Sequence, residues 1–263
     1  MRIGWIGLGA MGLGMARRAA CAGHTVIGHT RGREAHKALL TDGGSLSSDL
    51  TTVVTDADVV CINVFNDEQV RSVLYDDGVL ASLPAGSTLI VHTTSSPALA
   101  RQLQDDAPTG VSVVDAAFSG SPQQAAAGEL TMMVGGTEAS FAHVEPLLKT
   151  YASYVRHVGP VGAGMQLKLL NNLLFAAQVR LAAQAYRIGA NEGIPTDIML
   201  EVLARSSGAS RALEIVGARG TVETNMERMR VYLDKDVATA MAAAAASGCD
   251  LGILGTTANG TQV

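Results

Sequence analysis

Aromatic side chains are rare in this chain: Trp, Tyr and Phe make up 4% of its 263 residues. Ala, Gly and Leu are abundant instead, which suits closely packed helices. Cysteine is rarer still. Cys21, Cys61 and Cys249 are odd in number and lack metal-ligand spacing, which argues against a disulfide framework and a cysteine metal site. They read as small core residues in a reducing compartment. An excess of positive charge is also missing. The formal charge of −5 leaves neither nucleic acid nor an acidic membrane surface as an expected partner. The histidines, His24, His29, His36, His92, His143 and His157, show no metal-like spacing, and no metal is expected. The opening MRIGWIGLGAMG has none of the regions of a signal peptide. The long apolar run after residue 163 is interrupted by Gln166, Lys168, Asn171, Asn172, Gln178, Arg180 and Gln184, too often for a membrane span. A cytoplasmic protein without a membrane partner is expected.

What is present divides into two textures. Up to about residue 158, brief apolar runs (RIGWIGL, HTVIGHT, DVVCINVF, STLIVHT, VSVVDAAF) alternate with amphipathic segments such as 11–22 and 33–40. That alternation predicts βαβ units and a parallel sheet covered on both faces. TMMVGG and YASYVRHVG predict further strands of the same sheet. From Gly164 the strand signals stop, and 165–191 reads as one helix, apolar on nearly every face. Shorter helices are expected at 196–205, 211–218 and 233–246. The fold class is therefore α/β: a Rossmann-like doubly wound sheet over 1–160, then a long connecting helix and a small all-α domain over 161–263. Such a helix must be buried by something, and a second subunit is the expected cover.

Gly7-Leu8-Gly9-Ala10-Met11-Gly12 is a G-x-G-x-x-G between the first strand and the first helix. Its glycines suit a tight turn, close approach of a pyrophosphate and helix–strand packing, and the helix N-terminus supplies N–H groups for phosphates. A dinucleotide cofactor is expected. The second strand ends Gly28-His29-Thr30-Arg31-Gly32-Arg33, with no acidic residue to hold a ribose 2′-hydroxyl. Arg31 is placed for a 2′-phosphate, with Thr30, Arg33 or Lys37 in support, so NADP(H) is favoured over NAD(H).

Two further constellations stand out. In GPVGAGMQLKLLNN, from Gly159 to Asn172, Lys168 precedes Asn172 by four residues and shares a helix face with it. A lysine in an apolar setting is a usable proton donor near neutral pH, because desolvation disfavours its ammonium. The segment Asp115-Ala-Ala-Phe-Ser119-Gly120-Ser121-Pro122 follows a β run. Its small residues would expose successive N–H groups, and Ser119 adds a hydroxyl, a nest suited to a carboxylate.

GLGAMGLGMA, DAAFSGSPQQAAAGEL, GAGMQLKLLNN and Leu233-Asp234-Lys235-Asp236, in that order, resemble the β-hydroxyacid dehydrogenase family, which includes 3-hydroxyisobutyrate dehydrogenases and semialdehyde reductases. The resemblance runs from Met1 to about Ala246. It implies Lys168 as general acid/base and Asn172 as the amide that helps hold the substrate. Ser119, Gly120 and Ser121 match its carboxylate-binding segment, and Lys235 the lysine near cofactor and substrate. Val64, Phe65 and Thr94 fall where the family lines the nicotinamide-ribose side. It implies reversible hydride transfer between the nicotinamide and the carbinol carbon of a short 3-hydroxy acid, which becomes its semialdehyde, and homodimers or homotetramers built around the long helix. The chain departs from the pattern at Ala117, commonly proline, and at Ser121 and Gln124, commonly glycines, which crowd the nest. The glycine-rich ending GCDLGILGTTANGTQV is short, implying a trimmed or disordered tail. The alternatives are an imine reductase of the same architecture, which generally lacks the lysine, and a non-catalytic NADP-binding or oligomerisation module.

Overall fold

The computed structural model describes residues 1–32, 36–218 and 221–260. The chain divides into two compact units, Met1–Lys168 and Leu169–Val263.

The first unit is built on eight strands: β1 (Arg2–Ile6), β2 (Thr25–His29), β3 (Ser45–Ser47), β4 (Val59–Ile62), β5 (Thr88–Val91), β6 (Ser112–Ser119), β7 (Leu130–Gly135) and β8 (Ala152–Gly159). Their order is β3-β2-β1-β4-β5-β6-β7-β8. The first six strands run parallel, β7 is antiparallel to β6, and β8 is parallel to β7. The order 3-2-1-4-5-6 is the doubly wound arrangement in which ligands bind where the strand order reverses, between β1 and β4. Between the strands run α1 (Ala10–Cys21), α2 (Lys37–Thr41), α3 (Leu50–Val54), α4 (Asp67–Arg71), α5 (Pro97–Asp106), α6 (Pro122–Ala127) and α7 (Glu138–Leu148).

The strand sequences are apolar without interruption because both faces are covered. Alternate side chains enter opposite cores. Trp5, Cys61, Ile90 and Ala116 join Met15, Ala16 and Leu147 on one face. Ile6, Val60, Ile62, Leu89, Val91 and Val113 join Val53, Leu99 and Met165 on the other. At one end of the first core, Trp5 stacks on His92 with ring centroids 5.8 Å apart. His92 is buried; its Nδ1 lies 2.8 Å from the Ala116 carbonyl and must donate to it. Its Nε2 is therefore free to accept from the Tyr151 hydroxyl at 3.2 Å.

The second unit is all helix. α8 (Ala163–Asn191) starts in the first unit and continues into the second, followed by α9 (Thr196–Leu203), α10 (Arg211–Val216), α11 (Val222–Ser247) and α12 (Gly252–Asn259). α11 opens well before the expected residue 233, capped by the Thr221 hydroxyl on the Thr224 N–H. Its first turns read as loop because their surface is polar. Met226, Met229 and Leu233 nonetheless pack against the core of Val179, Tyr186 and Val216, and that packing decides the helix. The glycine-rich ending forms α12 over Gly252–Asn259, and residues 261–263 lie outside the described residues. α12 buries Ala258, whose carbonyl accepts from Arg180 Nε at 2.9 Å. Along α8, Leu170, Leu174, Leu181 and Ile188 are exposed in the single chain, and their helical spacing puts them on one stripe.

Candidate active site

The three glycines of the G-x-G-x-x-G meet three different surroundings. Gly7 has φ +101°, and a Cβ there would stand 2.2 Å from the Asn63 carbonyl oxygen, so the turn out of β1 requires glycine. A Cβ on Gly12 would stand 2.0 Å from the Gly7 carbonyl and 2.8 Å from Asn63 Nδ2, so the first turn of α1 packs directly on the turn that follows β1. Around Gly9 there is open space within 4 Å, which leaves its backbone approachable. Gly9 caps α1 with no side-chain hydrogen bond, and no acidic residue stands in the first turn. The leading N–H groups of α1, around Ala10 and Met11, therefore face outward without a side-chain acceptor, and Leu8 is buried beneath them. This geometry fits a dinucleotide pyrophosphate.

Thr30 and Arg31 follow β2. Together with Leu46, Ser47 and Ser48 they line a cavity of about 330 Å³. Arg31 is exposed, whereas Thr30 is buried and holds the turn itself, accepting from the Gly32 N–H at 3.1 Å. Its Oγ1 also lies 2.7 Å from His36 Nδ1. Ser47 and Ser48 are additions to the sequence reading: nothing in their local pattern marks them, because β3 brings them beside β2. Arg33, expected in support, lies outside the described residues.

Val64, Phe65 and Thr94 lie on the loops after β4 and β5, at the same sheet edge as the Gly7 turn. Thr93, which no motif marks, is the clamp between those loops. Its Oγ1 accepts the Val64 N–H and donates to the Val64 carbonyl, each at 3.0 Å.

Ser119 ends β6 at this edge, and Gly120 turns the chain with φ +146°. The expected open row of N–H groups is interrupted at the next residue. The Ser121 N–H donates to Gln124 Oε1 at 3.0 Å, and the Gln124 N–H donates to Ser121 Oγ at 3.3 Å. This capping box consumes the N–H that the nest reading left open. The Ser-Pro-Gln-Gln spacing was the available signal for it.

Lys168, half-buried, and Asn172, buried, stand one turn apart on α8. Asn172 is not simply turned to open space. Its Nδ2 donates to Asp236 Oδ2 at 2.5 Å, tying α8 to α11, while its Oδ1 accepts from Asn171 Nδ2 at 2.9 Å. Lys235 Nζ lies 3.0 Å from Asp236 Oδ1, an ion-pair distance without hydrogen-bond alignment. Asp236 is thus the hub of the polar group in the second unit, a role the Lys-Asp pair alone did not disclose.

Residues 2–159 match the family described as the NAD binding domain of 6-phosphogluconate dehydrogenase. Residues 162–262 match the NAD-binding family of NADP-dependent 3-hydroxyisobutyrate dehydrogenase. The chain belongs to the β-hydroxyacid dehydrogenase family. An NAD-dependent L-serine dehydrogenase of Pseudomonas aeruginosa is 33% identical over 256 residues, covering 94% of this chain and 86% of the relative. A Mycobacterium tuberculosis 3-hydroxyisobutyrate dehydrogenase solved with L-serine superposes with a TM-score of 0.85 at 30% identity, over 98% of this chain and 91% of that one. Psf3, solved with NADP+ and 2-OPP, has a TM-score of 0.83 at 25% identity, over 98% and 92% of the two chains. This β-hydroxyacid dehydrogenase is accordingly an NAD(P)-dependent oxidoreductase of the hydroxyacid class. Among its described residues no helix is long and apolar enough to cross a membrane.

Proposed function

We propose that this β-hydroxyacid dehydrogenase interconverts a short 3-hydroxy acid and its semialdehyde with NADP(H), using Lys168 as general acid/base. The observation that carries the reading is Lys168 itself, half-buried one turn before Asn172 on the helix that opens against β6. The nicotinamide, when bound, supplies or takes up the hydride. Lys168 gives its proton to the carbonyl oxygen in reduction and, as the neutral amine, removes the hydroxyl proton in oxidation. Ser119 and the Gly120 backbone orient the substrate carboxylate, and Asn172 holds the substrate side of α8 against α11 through Asp236. Consumption of NADPH and NADH, with glyoxylate, succinic, tartronate and methylmalonate semialdehydes, tests the reading; 3-hydroxyisobutyrate and L-serine test the reverse direction. Binding of neither dinucleotide would sink it.

The preference for NADP(H) rests on Arg31 beside the serine-lined cavity and on Thr30 standing where an acidic residue would hold a 2′-hydroxyl. Arg31→Ala is expected to weaken NADPH binding by about 1–2 kcal/mol, as for a charge-assisted hydrogen bond, with NADH nearly unaffected. Equal losses for the two cofactors, measured by fluorescence titration, would remove the preference.

Ser121 is the second specificity point. Gln124→Gly is expected to free the Ser121 N–H and lower KM for a carboxylate substrate several-fold, about the value of one hydrogen bond, leaving kcat unchanged. An unchanged KM would show that this N–H does not face the substrate.

The exposed Leu170, Leu174, Leu181 and Ile188 suit a homodimer or homotetramer joined along α8. Of the three free cysteines only Cys61 is in the core, whereas Cys21 and Cys249 are exposed, against the expectation for them; free thiols suit a reducing, cytoplasmic setting.

A further inference from the structure

Asp115 lies in the middle of β6 with no exposed surface. No ion pair reaches it among the described residues, and its two oxygens hold the turn that starts α8. Oδ1 accepts the Gly162 N–H at 2.6 Å, and Oδ2 accepts the Met165 N–H at 2.7 Å. Two glycines make room for it. A Cβ on Gly135 would stand 2.3 Å from Asp115 Oδ1, and one on Gly164 would stand 2.5 Å from the Met133 carbonyl and 2.9 Å from Asp115 Oδ2.

The first N–H groups of a helix have no acceptor within it, and a serine or threonine would serve as a cap without burying a charge. A carboxylate is costly here, but it grips two N–H groups at once. That grip has a consequence for Lys168, which follows Met165 by less than a turn. If a neighbouring residue took the place of Met165 on the Asp115 carboxylate, α8 would shift by one residue in register and the side chains of its first turns would swing by roughly 100°.

We propose that Asp115 is a positioning residue for Lys168: by holding the Gly162 and Met165 N–H groups together, it fixes the register of the first turn of α8 against β6 and hence where Lys168 points. The inference rests on the reading of Lys168 as acid/base. Burial pushes the Asp115 carboxyl up to about 6, against the pull of the backbone N–H groups. Once protonated, one oxygen carries a hydrogen and becomes a much poorer acceptor for its N–H. The surroundings are sparse in other ionisable groups. β5 leads into His92, held neutral by burial down to about 4. β7 presents Gly135, and α5 places the Arg101 guanidinium beside Gly162. The grip on α8 should therefore loosen as pH falls through about 6.

The test is a pH profile in the reducing direction, where titration of the lysine removes activity only on the alkaline side. Wild type, Asp115→Asn and Lys168→Ala are compared, with NADPH binding by fluorescence and amide hydrogen exchange at Gly162 and Met165. Wild type should lose kcat on an acid limb near pH 6 with NADPH affinity held, and the protection factors of both amides, corrected for the intrinsic pH dependence of exchange, should fall along the same limb. Asp115→Asn should lower kcat at neutral pH on the order of 10- to 100-fold, the scale of a small misplacement, and lose the acid limb. An Asp115→Asn enzyme with the wild-type kcat and acid limb overturns the inference. Should that variant not fold, wild type alone decides, and an acid limb without a fall in the protection factors at Gly162 and Met165 is the refuting result. If Lys168→Ala keeps wild-type turnover, the acid/base reading falls and this one with it. If Lys168→Ala is inactive while Asp115→Asn behaves as wild type, only the positioning role falls.

Discussion

Lys168→Ala is expected to lower kcat by about 10²–10⁴-fold, the usual contribution of a positioned acid/base group, in both directions of the reaction. NADPH affinity should be unchanged, because the proposed dinucleotide site is the Gly7–Gly12 turn and the cavity at Arg31. Lys168→Arg separates two explanations of such a loss. A guanidinium keeps the charge but does not release a proton in this range, so the variant should be nearly as slow as Lys168→Ala. An arginine variant with most of the wild-type rate would mean that Lys168 acts by charge alone. Turnover within tenfold of wild type for the alanine variant would remove it from the chemistry.

The second large effect is on acid stability, where two buried groups have opposite signs. Burial lowers His92 from 6.5 to about 4. Below pH 6.5 the unfolded chain takes up that proton first, so the stability contributed by neutral His92 is complete above 6.5 and lost as pH falls towards 4. Burial raises Asp115 from 3.8 to about 6. There the folded chain takes up the proton first, so this group's contribution is complete below 3.8 and lost as pH rises through 6. Between pH 7 and 4.5 the two nearly offset, each being worth about 2–3 kcal/mol. Removing one exposes the other. On acidification over that interval, Asp115→Asn should lose about 2 kcal/mol more than wild type, and His92→Gln about 2 kcal/mol less. Urea unfolding of the three proteins at both pH values measures this directly, and parallel pH dependence in all three would show that neither group is held as the structure implies.

The two effects draw on different parts of the chain. Lys168 and Asn172 are four residues apart, and their shared helix face is legible from spacing alone. The same holds for the glycine turn between β1 and α1 and for the β–α alternation that becomes the parallel sheet. The Ser121–Gln124 capping box was also local and therefore readable, although the small residues around it favoured an open nest. By contrast, α11 could not be placed from its polar opening turns, because what holds them is packing against α8 and α10 rather than their own pattern.

Adjacent residues thus determined the strands, the long helix, the dinucleotide turn and the candidate lysine, since each depends on periodicity or on a motif a few residues long. Tertiary structure alone decided the partners of the buried polar groups. Asp115 meets the start of α8, Thr93 joins two loops, Asn172 reaches Asp236, and Ser47 and Ser48 come beside Arg31. Side chains distant in sequence become neighbours only when the sheet order and the helix packing are set. In a dry interior each of them must then find whichever hydrogen-bond partner the fold delivers.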